Sequence, residues 1–159
     1  MRITLITVGK IKEKYFTDAI AEYQKRLSRY CKLEILEVAD EKTPDGASAA
    51  IEEQIKEKEA ERVRKVLKDS AYTIALAIDG KQMTSENFAE KIQGLGIRGE
   101  SHICFLIGGS LGMSDSLLHQ ADERISFSKM TFPHQLMRVI LLEQIYRGFR
   151  IIHHEPYHK

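Results

Sequence analysis

The sequence predicts an α/β fold: a single domain over residues 1–159, with a mainly parallel sheet covered by helices on both faces. Three observations predict it. Short runs rich in β-branched residues alternate with stretches of helical spacing, the order that parallel strands joined by helical crossovers require. No linker, internal repeat or low-complexity tract breaks the alternation. At 159 residues the chain can bury one core but not comfortably two.

The first strand is read at residues 3–8, an apolar run that stops at Gly9. Phe16, Ile20, Tyr23, Leu27 and Tyr30 then mark one face of a first helix, and a second strand is expected at residues 33–38. Thr43, Pro44, Asp45 and Gly46 form a surface turn before a second helix, whose inner face carries Ile51, Ile55, Val63 and Val66. Opposite charges at four-residue spacing between Glu52 and Arg62 read as the solvated face of that helix.

A third strand is expected at residues 72–78, followed by a helix that Ser85 caps and that Gly94 and Gly96 end after about Gln93. The fourth strand, residues 102–107, empties into Gly108, Gly109, Ser110, Leu111 and Gly112. Ser114 and Asp115 cap a short helix to about Asp122, residues 124–126 make a fifth strand, and the last helix runs over residues 134–150.

Composition narrows the function classes. The chain is 43% hydrophobic and 30% charged with a net charge of +1, an ordinary balance that does not by itself advertise nucleic-acid binding. The apolar start is too short for a signal peptide, and no run reaches the roughly 18–20 apolar residues of a membrane span. Cys31 and Cys104 lie far apart and suit reduced thiols, so a cytoplasmic location is expected. Gly9 is followed by Lys10, Ile11 and Lys12 rather than by a dinucleotide fingerprint, and no Walker loop is present. A hydrolase lacks its Gly-x-Ser-x-Gly elbow or a Cys–His pairing.

What remains is the last third. A buried strand that opens into a glycine loop, followed by a second strand and a second structured loop, builds two adjoining backbone walls suited to a flat, adenosine-like ligand. Asp79, Gly80 and Lys81 fall at the same edge if the third and fourth strands are neighbours. Plotted at 100° per residue, the last helix has Glu143, Gln144, Arg147 and Arg150 on one side and Leu141, Leu142, Ile145, Tyr146 and Phe149 on the other.

Arg138 lands on the apolar side. An arginine there either turns its head to a local carboxylate or stands at a ligand pocket facing an anionic group, and both readings stay open. Leu136 and Ile140 make the first half of this helix apolar almost all round, so a helix-on-helix homodimer is expected. His153, His154, Glu155 and His158 have no spacing that fixes a metal, and none is expected. Pro156 and Tyr157 argue instead for a tail that docks and stacks on a base.

Taken together, the Leu106-Ile-Gly-Gly loop, Phe127-Ser-Lys-Met-Thr-Phe-Pro-His, the helix with Arg138 and Glu143-Gln-Ile-Tyr-Arg, and the closing Pro156-Tyr-His-Lys resemble the ribosomal RNA large subunit methyltransferase H family of SPOUT methyltransferases. The resemblance runs from Val8 to the last residue. It implies a C-terminal trefoil knot, a homodimer, S-adenosylmethionine as cofactor, and methylation of N3 of a pseudouridine in large-subunit rRNA within the ribosome. By matching position it places cofactor contacts on Leu76, Gly108, Phe127, Ser128, Lys129, Met130, Thr131 and Phe132. Arg138, with His134 and His158 as proton acceptors, is the catalytic expectation, and Arg138, Tyr157, His158 and Lys159 face the RNA. A nucleotide sensor using the same glycine loop is the competing reading.

Overall fold

The computed structural model describes residues 1–159. Five strands, β1 (Arg2–Val8), β2 (Lys32–Val38), β3 (Tyr72–Lys81), β4 (His102–Ile107) and β5 (Glu123–Ile125), alternate with α1 (Lys14–Leu27), α2 (Ala49–Val66), α3 (Ser85–Ile97), α4 (Asp115–Gln120) and α5 (His134–Ile152). The strands form one parallel sheet in the order β2-β1-β4-β3-β5. All strand C-termini therefore meet at one edge, where open α/β sheets gather ligands.

Alternate residues of the inner strands feed opposite faces, as a sheet covered on both sides requires. Ile3 and Leu5 of β1 and Ile103, Phe105 and Ile107 of β4 join the larger core cluster, of 16 residues, with α1, α3 and α5. Ile6, Val8, Cys104 and Leu106 point the other way, into a cluster of 9 residues with α2 and α4. The α5 face is thus the better sealed of the two, and the helix that closes it carries the candidate residues.

Several boundaries differ from the sequence reading. Helix α3 is capped by Thr84, whose side chain accepts from the N–H of Asn87, not by Ser85. It continues through Gly94 and Gly96 to Ile97, because burial of Ile92 and Leu95 outweighs the roughly 1 kcal/mol that each mid-helix glycine costs. Helix α4 stops at Gln120 rather than Asp122, because Asp122 turns into the sheet: its carboxylate accepts from the Thr73 N–H at 2.8 Å and its own N–H donates to the Thr73 carbonyl at 2.9 Å.

Strand β3 runs on to Lys81, past the end that the apolar pattern marks. Both Leu76 and Lys81 pair with Ile125, so residues 77–80 bow out around the end of β5. Gly80 crosses the Ile125 backbone so closely that a Cβ would lie 2.5 Å from the Ile125 carbonyl carbon. Only glycine allows that approach.

Candidate active site

The bow in β3 makes one wall of a cavity. Leu76, Ala77 and Ile78 face Ile125, Ser126, Phe127, Ser128, Met130, Thr131, Phe132 and Met137 around a cavity of about 100 Å³ that opens to solvent. Two main-chain ribbons thus stand opposite one another with apolar side chains between them, as expected of a slot for a flat heteroaromatic group. The 125–132 ribbon is held in shape by its own serines: the Ser126 hydroxyl donates to the Ser128 carbonyl at 2.9 Å, and the Ser128 Oγ accepts from the Met130 N–H at 2.9 Å. Ser126 N–H donates to Lys81 O at 3.0 Å, which ties the second ribbon to the first. Phe127 anchors it from below by packing edge-on against Phe88 of α3, with ring centroids 6.1 Å apart.

Leu76, Phe127, Ser128, Met130, Thr131 and Phe132 are therefore brought together, whereas Lys129 and Gly108 are not among the lining residues. Gly108 is buried where its chain folds back: a Cβ there would lie 2.8 Å from the Gly112 carbonyl carbon and 2.9 Å from Met113 Cγ. The glycine loop closes on itself through a Gly109–Gly112 bridge, so packing accounts for Gly108 before any ligand is invoked.

A second cluster stands at the C-terminal end of β1. Arg138 is 1% exposed, and its guanidinium is fully engaged at its two ends. Nη1 donates to Glu37 Oε2 at 2.6 Å, and Nη2 donates to the carbonyls of Gly9 at 2.7 Å and Val8 at 3.3 Å. The carboxylate partner required by a buried arginine is thus Glu37, at the end of β2. Burial pushes the Arg138 guanidinium below its ordinary value while Glu37 holds it up, and the cation persists. Its Nε is buried without a partner, as is Nδ1 of His134 one helical turn earlier. Burial, and then the Arg138 charge, push His134 down, so near neutral pH its imidazole is uncharged.

His158 lies elsewhere. Arg147 Nη1 can only donate, so Nδ1 of His158 accepts from it at 3.1 Å, and the Nε2–H donates to Glu86 Oε1 at 2.7 Å. Both ring nitrogens are occupied, on α3 and α5, and His158 makes no contact with His134 or Arg138 within the chain. The tail docks: the Tyr157 ring stands edge-on to Tyr146 at 5.0 Å, its hydroxyl donates to Glu143 at 3.0 Å, and burial pushes that hydroxyl up to about 12. Glu155 pairs with Arg150 at 2.9 Å and Lys159 is exposed.

The family model described as predicted SPOUT methyltransferase matches residues 1–158. The chain belongs to the SPOUT methyltransferase family. It is 67% identical over 159 residues to the ribosomal RNA large subunit methyltransferase H of Bifidobacterium adolescentis and 63% identical to that of Clostridium beijerinckii, with 100% of both chains covered in each case. The solved structure of a probable methylase family protein from Haemophilus influenzae Rd KW20 superposes with a TM-score of 0.56 at 10% identity, over 99% of this chain and 70% of that one, which shows the shared fold. No helix is long and apolar enough to cross a membrane, and no group of three or more metal-ligating side chains is present.

For this SPOUT methyltransferase the sequence reading missed Ala77, Ile78, Ile125, Ser126 and Met137 of the cavity, together with Glu37. The five cavity residues depend on the bow in β3 and on the start of α5, which no period reveals. Glu37 did leave a signal: a carboxylate next to the C-terminal end of a strand, at the edge where parallel sheets collect function.

Proposed function

We propose that this SPOUT methyltransferase binds S-adenosylmethionine in the slot between residues 76–78 and 125–132 and methylates N3 of a pseudouridine in large-subunit rRNA on the assembled ribosome, in the cytoplasm. The observation that carries the reading is the juxtaposition of the two main-chain ribbons, with α5 delivering Met137 to the slot and Arg138, the next residue, to the cluster beside it. Full-length identity to relatives named ribosomal RNA large subunit methyltransferase H supports the rRNA substrate. The residues present fit the cofactor: apolar walls for an adenine face, main-chain edges for its polar atoms, and the hydroxyls of Ser126, Ser128 and Thr131 as the polar side chains. Lys129, between the lining residues Ser128 and Met130, and Gly108, directly after β4, belong to the same proposal.

Bound there, the cofactor supplies an electrophilic methyl carbon on a sulfonium sulfur. The chain must then align a nitrogen nucleophile and favour its deprotonated imide, whose negative charge spreads over two carbonyl oxygens. Arg138 supplies the cation. It is pre-fixed, so no reorganisation is needed as charge develops, and its Nε–H is a donor without a partner. His134, neutral and with Nδ1 free, accepts the imide proton, or water does so directly. His158 serves substrate binding with Tyr157 and Lys159, and becomes a base only after the tail leaves Arg147 and Glu86.

We also read the chain as a homodimer whose contact is the first half of α5. Leu136, Met137, Val139 and Ile140 remain half-buried there, beside exposed Phe132 and Met130. The resemblance supports a knot formed by the segment after β5. Arg138→Ala is expected to abolish methylation of 23S rRNA in ribosomes while calorimetric S-adenosylmethionine binding persists; loss of both together removes Arg138 from catalysis. A monomer by sedimentation would remove the dimer.

A further inference from the structure

Glu37 has no role in the chemistry proposed above, yet it is placed as if it had one. It is the penultimate residue of β2, the edge strand, and reaches across the end of β1. Its Oε2 accepts from Arg138 Nη1 at 2.6 Å and from the main-chain N–H of Ile11 at 3.2 Å. One carboxylate therefore fastens both the buried arginine of α5 and the 9–13 loop that leaves β1. The Gly9 and Val8 carbonyls grip the other prong of the same guanidinium. Carbonyls alone can orient a planar fork but do not neutralise it, and a buried cation without a counter-charge swings toward solvent or toward another acid. Asp40 is an acid beside Gly9, its Cγ 3.8 Å from where a Gly9 Cβ would be.

We propose that Glu37 is a positioning residue for methyl transfer, pinning the Arg138 guanidinium against the end of β1 and holding the 9–13 loop beside it. The inference rests on the catalytic reading of Arg138. Its consequence is specific: Glu37 should matter to turnover through the fork geometry of Arg138 and should not matter to cofactor binding, because the slot lies on other ribbons.

The test compares Glu37→Gln, Glu37→Asp and Glu37→Ala with Arg138→Ala and Arg138→Lys on ribosomes. Glu37→Gln should lower kcat by about tenfold to a hundredfold while KM and the calorimetric Kd for S-adenosylmethionine stay within about twofold, and Glu37→Asp should recover part of the loss. In Arg138→Lys, where the fork is already gone, adding Glu37→Gln should cost less than about threefold more. In the cofactor-free protein, the Arg138 side-chain N–H signals seen by NMR should be protected from exchange, and lose that protection in Glu37→Ala. An inactive Arg138→Ala beside a fully active Glu37→Gln overturns the inference alone. Full activity of Arg138→Ala overturns the reading beneath it. Parallel loss of melting temperature, cofactor affinity and turnover across the Glu37 series overturns the inference too, since the role would then be structural.

Discussion

The two covers of this sheet are built from different rules. On one face, α2 spends most of its surface on solvated charge: Glu57, Glu61 and Arg64 lie close together, and Lys56 pairs with Glu53. Its buried contribution is narrow: Ile55, Ala60 and Val63, with the Glu59 carboxylate beside them accepting from the Glu41 N–H at 3.0 Å. On the other face, α5 buries seven residues including a cation, and the ribbon that leads into it passes within van der Waals contact of a second ribbon. The first cover tolerates change because water remains its main partner. The second is over-determined, with main chain against main chain, and overdetermined geometry is what a preorganised site requires.

The sharpest way to break the comparison is Gly80→Ala. The new Cβ would meet backbone at 2.5 Å, and backbone cannot rotate out of the way as a side-chain tip can. We expect a loss of about 1–3 kcal/mol or more in stability, read by denaturant titration, with a larger relative loss of S-adenosylmethionine binding because the β3 ribbon must move. Retention of both would mean that the crossing at Ile125 does not shape the slot.

Ribosome dependence probes the same asymmetry at the level of substrate. The C-terminal region from Phe127 onward carries five basic residues against two acidic, and Arg138, Arg147 and Arg150 are already paired within the chain. Few cations remain for phosphates. Turnover on an isolated rRNA hairpin should therefore fall at least about tenfold below that on assembled ribosomes and drop steeply with salt. Equal rates on both would contradict a site completed by the ribosome.

Legibility in the sequence follows the same division. Strand alternation and the apolar stripes of α1, α2 and α5 were readable because burial imposes periods of 2 and 3.6 on side chains. Arg138 was readable for the same reason, as a break in the apolar face, although its partner Glu37 lies 101 residues away. The bow of residues 77–80 was not readable, since it arises from a crossing of ribbons that no local spacing encodes. The two helical glycines misled in the opposite direction: Gly94 and Gly96 looked like a stop, and tertiary burial of Leu95 carried the helix past them.

A smaller effect comes from pH. His134 is held below its ordinary value by burial and by Arg138, with Asp40 opposing. Well above about pH 6.5 the folded and unfolded imidazoles are both neutral and nothing is gained or lost. As the pH falls below that value the unfolded chain takes up its proton first, so stability declines until the folded imidazole titrates as well. His102, also lowered by burial, adds a slope of the same sign. His134→Asn should therefore flatten, but not erase, the fall in melting temperature between about pH 6.5 and 5. An unchanged slope would show that His134 is not sheltered, and would weaken its assignment as the neutral proton acceptor.

The smallest expected effect sharpens the contrast from the tolerant side. Arg64 of α2 donates to Glu61, to Gln120 and to the Ser116 hydroxyl of α4, more partners than most residues of the α5 face have. Counting bonds would rank it among the anchors of the fold. Its partners Glu57 and Glu61 are nevertheless 47% and 65% exposed, so their charges are screened by solvent and their side chains give up entropy to hold one geometry. Arg64→Ala should therefore change stability by no more than about 0.5–1 kcal/mol and leave methylation untouched. The same truncation at Arg138, with a comparable number of hydrogen bonds, should abolish turnover. If chemical denaturation instead gave the two variants equal losses and both stayed active, burial would not be what separates the two covers.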